Sequence, residues 1–239
     1  DLTGTVAGEE VSVHVDPEAY AASVHADFEC VTCHMDVEGV ELPHDDELER
    51  ISCDMCHDGP AADVAAGVHA GEGGADCGDC HGVHSVRPPS DPSSRVADDN
   101  LRRLCGACHR TQSEQHLRSL HGRAAAAGDE LAPSCVTCHG AHEILSHTDP
   151  RAETSTMNIP LLCGQCHHEG TEVSLQHDIP QDRILENYSQ SIHGEGLFER
   201  GLTVTAVCTS CHTSHLILEH TDPESSIHRD NVADTCMKC

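Results

Sequence analysis

Apolar residues are scattered thinly along this 239-residue chain, and nowhere do 18 of them stand together, so no segment is long enough to cross a membrane as a helix. Large apolar side chains are scarcer still. There is no tryptophan, and the aromatic complement is Tyr20, Tyr188, Phe28 and Phe198. Aromatic rings usually supply much of the buried area of a core, so this pattern predicts no ordinary apolar interior. It predicts short α-helices in a mostly irregular chain, with almost no sheet. The polar and acidic remainder could not offset chain entropy by its own burial.

The cysteines change that picture. Seven times two cysteines, two residues apart, are followed at once by histidine. The sets are Cys30, Cys33 and His34; Cys53, Cys56 and His57; Cys77, Cys80 and His81; Cys105, Cys108 and His109. They continue as Cys135, Cys138 and His139; Cys163, Cys166 and His167; Cys208, Cys211 and His212. An eighth pair, Cys236 and Cys239, ends the sequence, and its histidine is expected at the next natural position. Together the eight pairs use all 16 cysteines. C-x-x-C-H is the attachment signature of c-type haem, with both thiols bonded to the porphyrin and the histidine under the iron. A zinc ribbon does not require histidine directly after each second cysteine. Ferredoxin clusters use tighter cysteine runs, and a redox dithiol would occur once. The expectation is eight covalently attached haems c. At about 30 residues per cysteine pair, such short units need staples. The haems are therefore expected to form the core, with short helices carrying the motifs.

Spacing divides the chain into four two-haem repeats: 1–60 with an N-terminal arm, 61–115, 116–175, and 176–239 with its linker. The two motifs of a repeat begin 28 residues apart at Cys77/Cys105, Cys135/Cys163 and Cys208/Cys236, and 23 apart at Cys30/Cys53. In the three longer repeats Asp91-Pro92, Asp149-Pro150 and Asp222-Pro223 each lie 14 residues before the second motif. Asp-Pro favours turn initiation, so each connector is expected to reverse there and then form the helix bearing that motif.

The repeats also align a second set of histidines. His84, His142 and His215 stand three residues after a proximal histidine, as C-H-x-x-H. Upstream of each repeat stand His25, His69, His121 and His193, and His44 falls in the matching interval of the first repeat. These eight match eight irons as distal ligands. A histidine three places along a helix shares the proximal residue's side, so it should serve a neighbouring haem. The bland alternative is a surface residue or a hydrogen bond to a propionate. His14, His116, His147, His168, His177, His220 and His228 are expected to be solvated or to contact propionates, and the four methionines to be filler.

The formal charge is −28, with 41 acidic residues against 13 basic ones, of which only Lys238 is lysine. That excludes nucleic acid as a partner, since phosphate binding needs clustered bases. Simple solubility and adaptation to high salt both account for the acidity. The start at Asp1 reads as a mature end after signal cleavage.

The pattern Ser-x-His-Gly, Ala-Pro-x-Cys-x-x-Cys-His-Gly-x-His, Asp-Pro, Cys-x-x-Cys-His, clearest from Ser119 to His167, resembles the multihaem c-type cytochromes with doubled C-x-x-C-H motifs. It departs from that pattern in the first repeat, at Val68-His69 and at the C-terminus. The resemblance implies bis-histidine haems stacked in alternating parallel and T-shaped pairs that pass electrons along a row. Some such proteins polymerise into extracellular filaments, and others are periplasmic carriers or parts of outer-membrane conduits. The expected role is long-range electron transfer outside the cytoplasm, at the cell surface or beyond, with self-association into a filament. Redox proteins or an extracellular acceptor would be its partners. A soluble periplasmic carrier is the alternative. An octahaem reductase or oxidase of a nitrogen or sulfur oxyanion is the minority reading, so no catalytic residue is expected.

Overall fold

A computed structural model describes residues 3–6, 9–12, 14–40, 51–177, 179, 181 and 183–239; His44 lies outside these. One antiparallel hairpin, β1 (Thr3–Val6) and β2 (Glu9–Ser12), pairs Thr3 with Ser12 and Val6 with Glu9. Everything else among the described residues is short helix or irregular chain. The helices are α1 (Pro17–Ala21), α2 (Cys30–Cys33), α3 (Asp58–Ala66), α4 (Cys77–His81), α5 (Asp98–Gly106), α6 (Arg110–Arg118) and α7 (Leu120–Ala126). They continue as α8 (Cys135–His139), α9 (Ile159–Gly164), α10 (Glu172–Gln176), α11 (Ile184–Ser189), α12 (Ile192–Phe198), α13 (Cys208–His212) and α14 (Val232–Cys236). None exceeds nine residues. Helices this short are not stable alone in water, so each depends on its caps and neighbours.

Burial is sparse. Among the described residues the buried apolar side chains are Ala97, Leu101, Ala152, Ile159, Pro160, Leu197, Val207 and Leu218, and their cluster joins only Ile159, Leu197 and Val207. Apolar burial on this scale cannot offset the entropy of ordering so long a chain.

Local hydrogen bonds do most of the shaping. In the three longer repeats one asparagine closes the connector after Asp-Pro. Asn100 Nδ2 donates to the carbonyls of Pro92 (3.0 Å) and Ser94 (2.7 Å). Asn158 does the same to Pro150 (3.0 Å) and Ala152 (2.9 Å), and Asn231 to Pro223 (2.8 Å) and Ser225 (2.9 Å). Each asparagine lies five residues before the first cysteine of the second motif. The turn is thereby locked to the helix that leads into that motif: α5, α9 or α14.

The first motif of these repeats is built differently, because it begins its helix. The residue before the second cysteine accepts a hydrogen bond from the backbone N–H just ahead of the motif: Asp79 from Asp76 (2.9 Å), Thr137 from Ser134 (3.0 Å) and Ser210 from Val207 (3.1 Å). This is the reciprocal half of a capping box. The helix then stops at the histidine, because the next residue has positive φ: Gly82 (74°), Gly140 (75°) or Thr213 (64°). Glycine adopts that conformation freely and threonine does not.

The second motifs correct the expectation that a helix carries every motif. Cys33, Cys80, Cys138 and Cys211 do lie within α2, α4, α8 and α13. Cys56, Cys108, Cys166 and Cys239 do not. The helix leading into each of these motifs ends first, at Met55 (a 3-10 turn over Cys53–Met55), Gly106, Gly164 or Cys236. The second cysteine then follows just beyond, its N–H donating to the carbonyl of the first. Those bonds are 3.3 Å for Cys56 to Cys53, 3.3 Å for Cys108 to Cys105, 3.2 Å for Cys166 to Cys163 and 3.5 Å for Cys239 to Cys236. The step is three residues, the tighter spacing with which short helices often finish. Cys56 and Cys108 are exposed there, and Cys166 is half-buried.

Contacts group the chain into two compact units: Asp1–Ala65 with His69–Asn100, and Ala66–Val68 with Leu101–Cys239. In the first, Asp16 caps α1 by accepting from Glu18 and Ala19, and the Tyr20 hydroxyl reaches the carbonyls of His25 (3.0 Å) and Phe28 (2.7 Å). In the second, α9, α11, α12 and α13 gather round the Ile159 cluster, with the Tyr188 hydroxyl donating to Ala206 O at 3.1 Å.

Thr213, at φ 64° and ψ 176°, occupies a region that costs a non-glycine residue on the order of 1–3 kcal/mol. Its hydroxyl recovers part of that by donating to Leu216 O at 2.8 Å. Thr213→Gly is expected to raise stability by about 1 kcal/mol, measured as a higher denaturant midpoint with an unchanged slope.

Candidate functional site

In the first unit and again in the second, paired imidazoles face each other. His25 faces His57 with ring centres 6.1 Å apart, and His34 faces His84 at 6.2 Å. His121 faces His167 at 6.0 Å, and His139 faces His215 at 6.0 Å. Each pair unites the histidine of a C-x-x-C-H motif with one of the second set. Directly stacked rings of this size would come closer, particularly where the planes are nearly parallel, as at 15° for His139–His215. Two imidazoles bonded to one metal from opposite sides, at about 2 Å each with ring centres roughly 1.1 Å further back, stand about 6 Å apart. All four pairs have that spacing.

Electrostatics suit the same chemistry. Metal binding needs the neutral ring. Burial, with smaller effects from His167 and His116, pushes His121 down to about 4. Burial also lowers His84, helped by His34, and His139, helped by His215 and His109. His167, His212 and His215 are lowered chiefly by burial too. Nδ1 of His34 and of His167 is buried with no hydrogen-bond partner, a state folded proteins seldom leave uncompensated.

Each histidine that directly follows a C-x-x-C is held by its own motif. Backbone bonds run from His34 to Cys30 (2.9 Å), His57 to Cys53 (3.0 Å), His109 to Cys105 (2.8 Å) and His167 to Cys163 (2.9 Å). This single turn puts both cysteines and the histidine on one short stretch, and it forms at Cys56, Cys108 and Cys166 even though the helix has ended. Two thiols and an imidazole are thus presented together in both kinds of motif. Successive motifs also touch. The thiols of Cys53 and Cys77, of Cys105 and Cys135, and of Cys163 and Cys208 lie within hydrogen-bonding reach of each other. In each contact the second motif of one repeat meets the first motif of the next.

The second set of histidines is positioned by two devices. Ser119 caps α7 by accepting from Gly122 N at 3.0 Å while donating to His116 O at 2.7 Å, which fixes His121 in the first turn. Ser191 repeats this on α12 for His193, accepting from Gly194 N (3.2 Å) and donating to Tyr188 O (2.6 Å). Glycine is required there because a Cβ on Gly122 would lie 1.8 Å from His116 O, and one on Gly194 2.1 Å from Tyr188 O. His84, by contrast, is not on a helix. The helix that sequence reasoning extends to it ends at His81, turned out by Gly82. The approach of His84 to His34 therefore comes from a loop.

The remaining sites are placed as follows. His193 lies on α12, its carbonyl accepting from the Thr205 hydroxyl at 3.2 Å. His212 ends α13 within electrostatic reach of His167. His109 lies near the His139–His215 pair, and His69, His81 and His142 each make interactions of their own. One histidine was undervalued by sequence reasoning. His116, expected to be solvated or to contact a propionate, has a buried Nδ1, is lowered by burial, and neighbours both His121 and His215. Among the described residues no group of three or more His, Cys, Asp or Glu gathers into a metal cage; a haem iron takes only two protein ligands.

Gly122→Ala and Gly194→Ala are expected to lower stability by about 1–3 kcal/mol each, since backbone must move to admit the methyl. Gly59→Ala in α3, with nothing within 4 Å of its Cβ position, should instead raise it by about 0.5–1 kcal/mol. Thermal unfolding of the three variants checks both signs. Comparison with known proteins leaves the chain to its own residues: no family model, no curated protein and no solved structure matches it.

Proposed function

We propose that this chain carries electrons over long distances outside the cytoplasm, through eight covalently attached haems c held between paired histidines. The observation that carries the reading is the set of four imidazole pairs at 6.0–6.2 Å, each with one member directly after a C-x-x-C. Haem c, when bound, supplies an iron that alternates between ferric and ferrous states.

The chain's own residues supply position and surroundings. The cysteine pairs would anchor each macrocycle at two points, and the paired imidazoles would hold its iron between them, leaving no open position for substrate. Such ligation favours lower potentials than a Met/His set. Contacts between successive motifs, such as Cys53 with Cys77 and Cys163 with Cys208, favour short steps from one macrocycle to the next. Macrocycle faces would also provide the apolar area that the few buried side chains do not.

Thioether attachment takes place beyond the cytoplasmic membrane, which supports a location in the periplasm, on the cell surface or outside. Redox proteins or an external acceptor would be the partners. Among the described residues no helix is long and apolar enough to cross a membrane. Self-association into a filament rests on the resemblance to polymerising cytochromes, and it has a separate test.

Intact mass should show eight haem additions, and low-temperature EPR of the oxidised protein should show low-spin bis-histidine iron. An unmodified mass would sink the haem reading, while a large high-spin signal from an iron that binds added ligand would favour an enzyme. Electron microscopy at native salt should show filaments; monomers alone would leave a soluble carrier.

A further inference from the structure

One main-chain hydrogen bond occurs three times at the same place in the repeats. Val24 donates to the carbonyl of Val86 (2.9 Å), Val68 to Ile144 (2.8 Å) and Leu120 to Ile217 (2.8 Å). Each donor immediately precedes an upstream histidine: His25, His69 or His121. Each acceptor lies two residues past the second histidine of the following repeat's C-H-x-x-H: His84, His142 or His215. The tie therefore joins the upstream segment of one repeat to the C-H-x-x-H segment of its successor.

The ring pairs show what the joined segments face. In the first repeat His25 is opposite His57, and His84 is opposite His34. In the third, His121 is opposite His167, and His215 is opposite His139. Both times the upstream histidine meets the second proximal histidine of its own repeat. Both times the C-H-x-x-H histidine, coming from the next repeat, meets the first. Two independent copies with the same crossed assignment are hard to reconcile with incidental ring contacts.

We propose that this is the ligation rule of the first three repeats: a repeat's second iron takes its own upstream histidine, and its first iron takes the C-H-x-x-H histidine of the repeat that follows. The rule rests on the haem reading above and goes beyond it by assigning ligands. C-H-x-x-H becomes a clasp, with one histidine for its own repeat and one for the preceding repeat. The rule also removes His44 from the ligand set. With His84 opposite His34 and His25 opposite His57, both irons of the first repeat are already served.

The test uses the full haem-loaded chain and the variants His84→Ala, His25→Ala and His44→Ala, each first shown by mass to carry as many haems as the parent. His84→Ala and His25→Ala should each convert one iron from low to high spin in EPR and, when reduced, let that iron bind carbon monoxide. Added imidazole should restore the low-spin signal, which it would not do for a merely misfolded variant. His44→Ala should match the parent. A new high-spin iron in His44→Ala, or unchanged low-spin spectra in His84→Ala, overturns the rule. Should His84→Ala fail to mature, His84→Met keeps a sixth ligand and should raise one midpoint potential; no shift would count against the assignment. A parent without covalent haem would instead defeat the underlying reading.

Discussion

The short hydrogen bond between side chain and backbone is what this structure leans on, because the chain has so little apolar surface to bury. A domain of this length ordinarily closes round a continuous core. Here the buried apolar residues among those described are few, and the helices are too short to persist alone. Each segment is instead fixed by polar contacts made within a dozen residues: the Asp79, Thr137 and Ser210 caps, the Asn100, Asn158 and Asn231 locks, and the Ser119 and Ser191 caps. Such bonds contribute about 1 kcal/mol apiece, so they specify local shape better than they secure it. Surface ion pairs add little. Arg123–Glu219 at 3.5 Å, half-exposed on both sides, belongs to the class with a median near ~0–1 kcal/mol.

The two motifs of a repeat are held in opposite senses. At Cys77, Cys135 and Cys208 the motif starts a helix and a left-handed residue ends it after the histidine. At Cys105, Cys163 and Cys236 a helix arrives from the asparagine lock and ends at or just after the first cysteine, leaving Cys108, Cys166 and Cys239 beyond it. One motif is thus anchored from behind and the other from in front. That arrangement leaves the loop after the first motif free to travel, and His84 reaches His34 by such a loop.

Much of this was legible in the residues. The motif count, the four repeats, the near absence of sheet and the two sets of histidines can be read directly, because they depend on spacing. The asparagine eight residues after each Asp-Pro proline was equally visible, but its meaning depends on a turn closing back on itself. The glycine of Ser-x-His-Gly could be noted as a pattern; the reason for it, a carbonyl within 2.1 Å of any Cβ, is a fact of three dimensions. The point at which a helix gives out before Cys56, Cys108 or Cys166 was hidden for a similar reason, since identical C-x-x-C-H spacing serves motifs that begin helices and motifs that end them. Partner choice was the least legible. Helical periodicity suggested that His84 leaves its own haem, but nothing local says that it turns to His34, since 50 residues separate them. The same holds for His116, whose burial comes from segments distant in sequence.

The tie from Val24 to Val86, repeated at Val68 and Leu120, links each repeat to the next through the same backbone atoms. Chains coupled this way behave as nearest-neighbour arrays, whose stability grows roughly in proportion to the number of links. Duplicating one repeat would extend the array without a new interface, because the incoming segment would find the same carbonyl waiting. Damage would stay equally local, loosening two adjoining repeats while the others hold. Length in such a molecule is therefore open to evolution in whole steps.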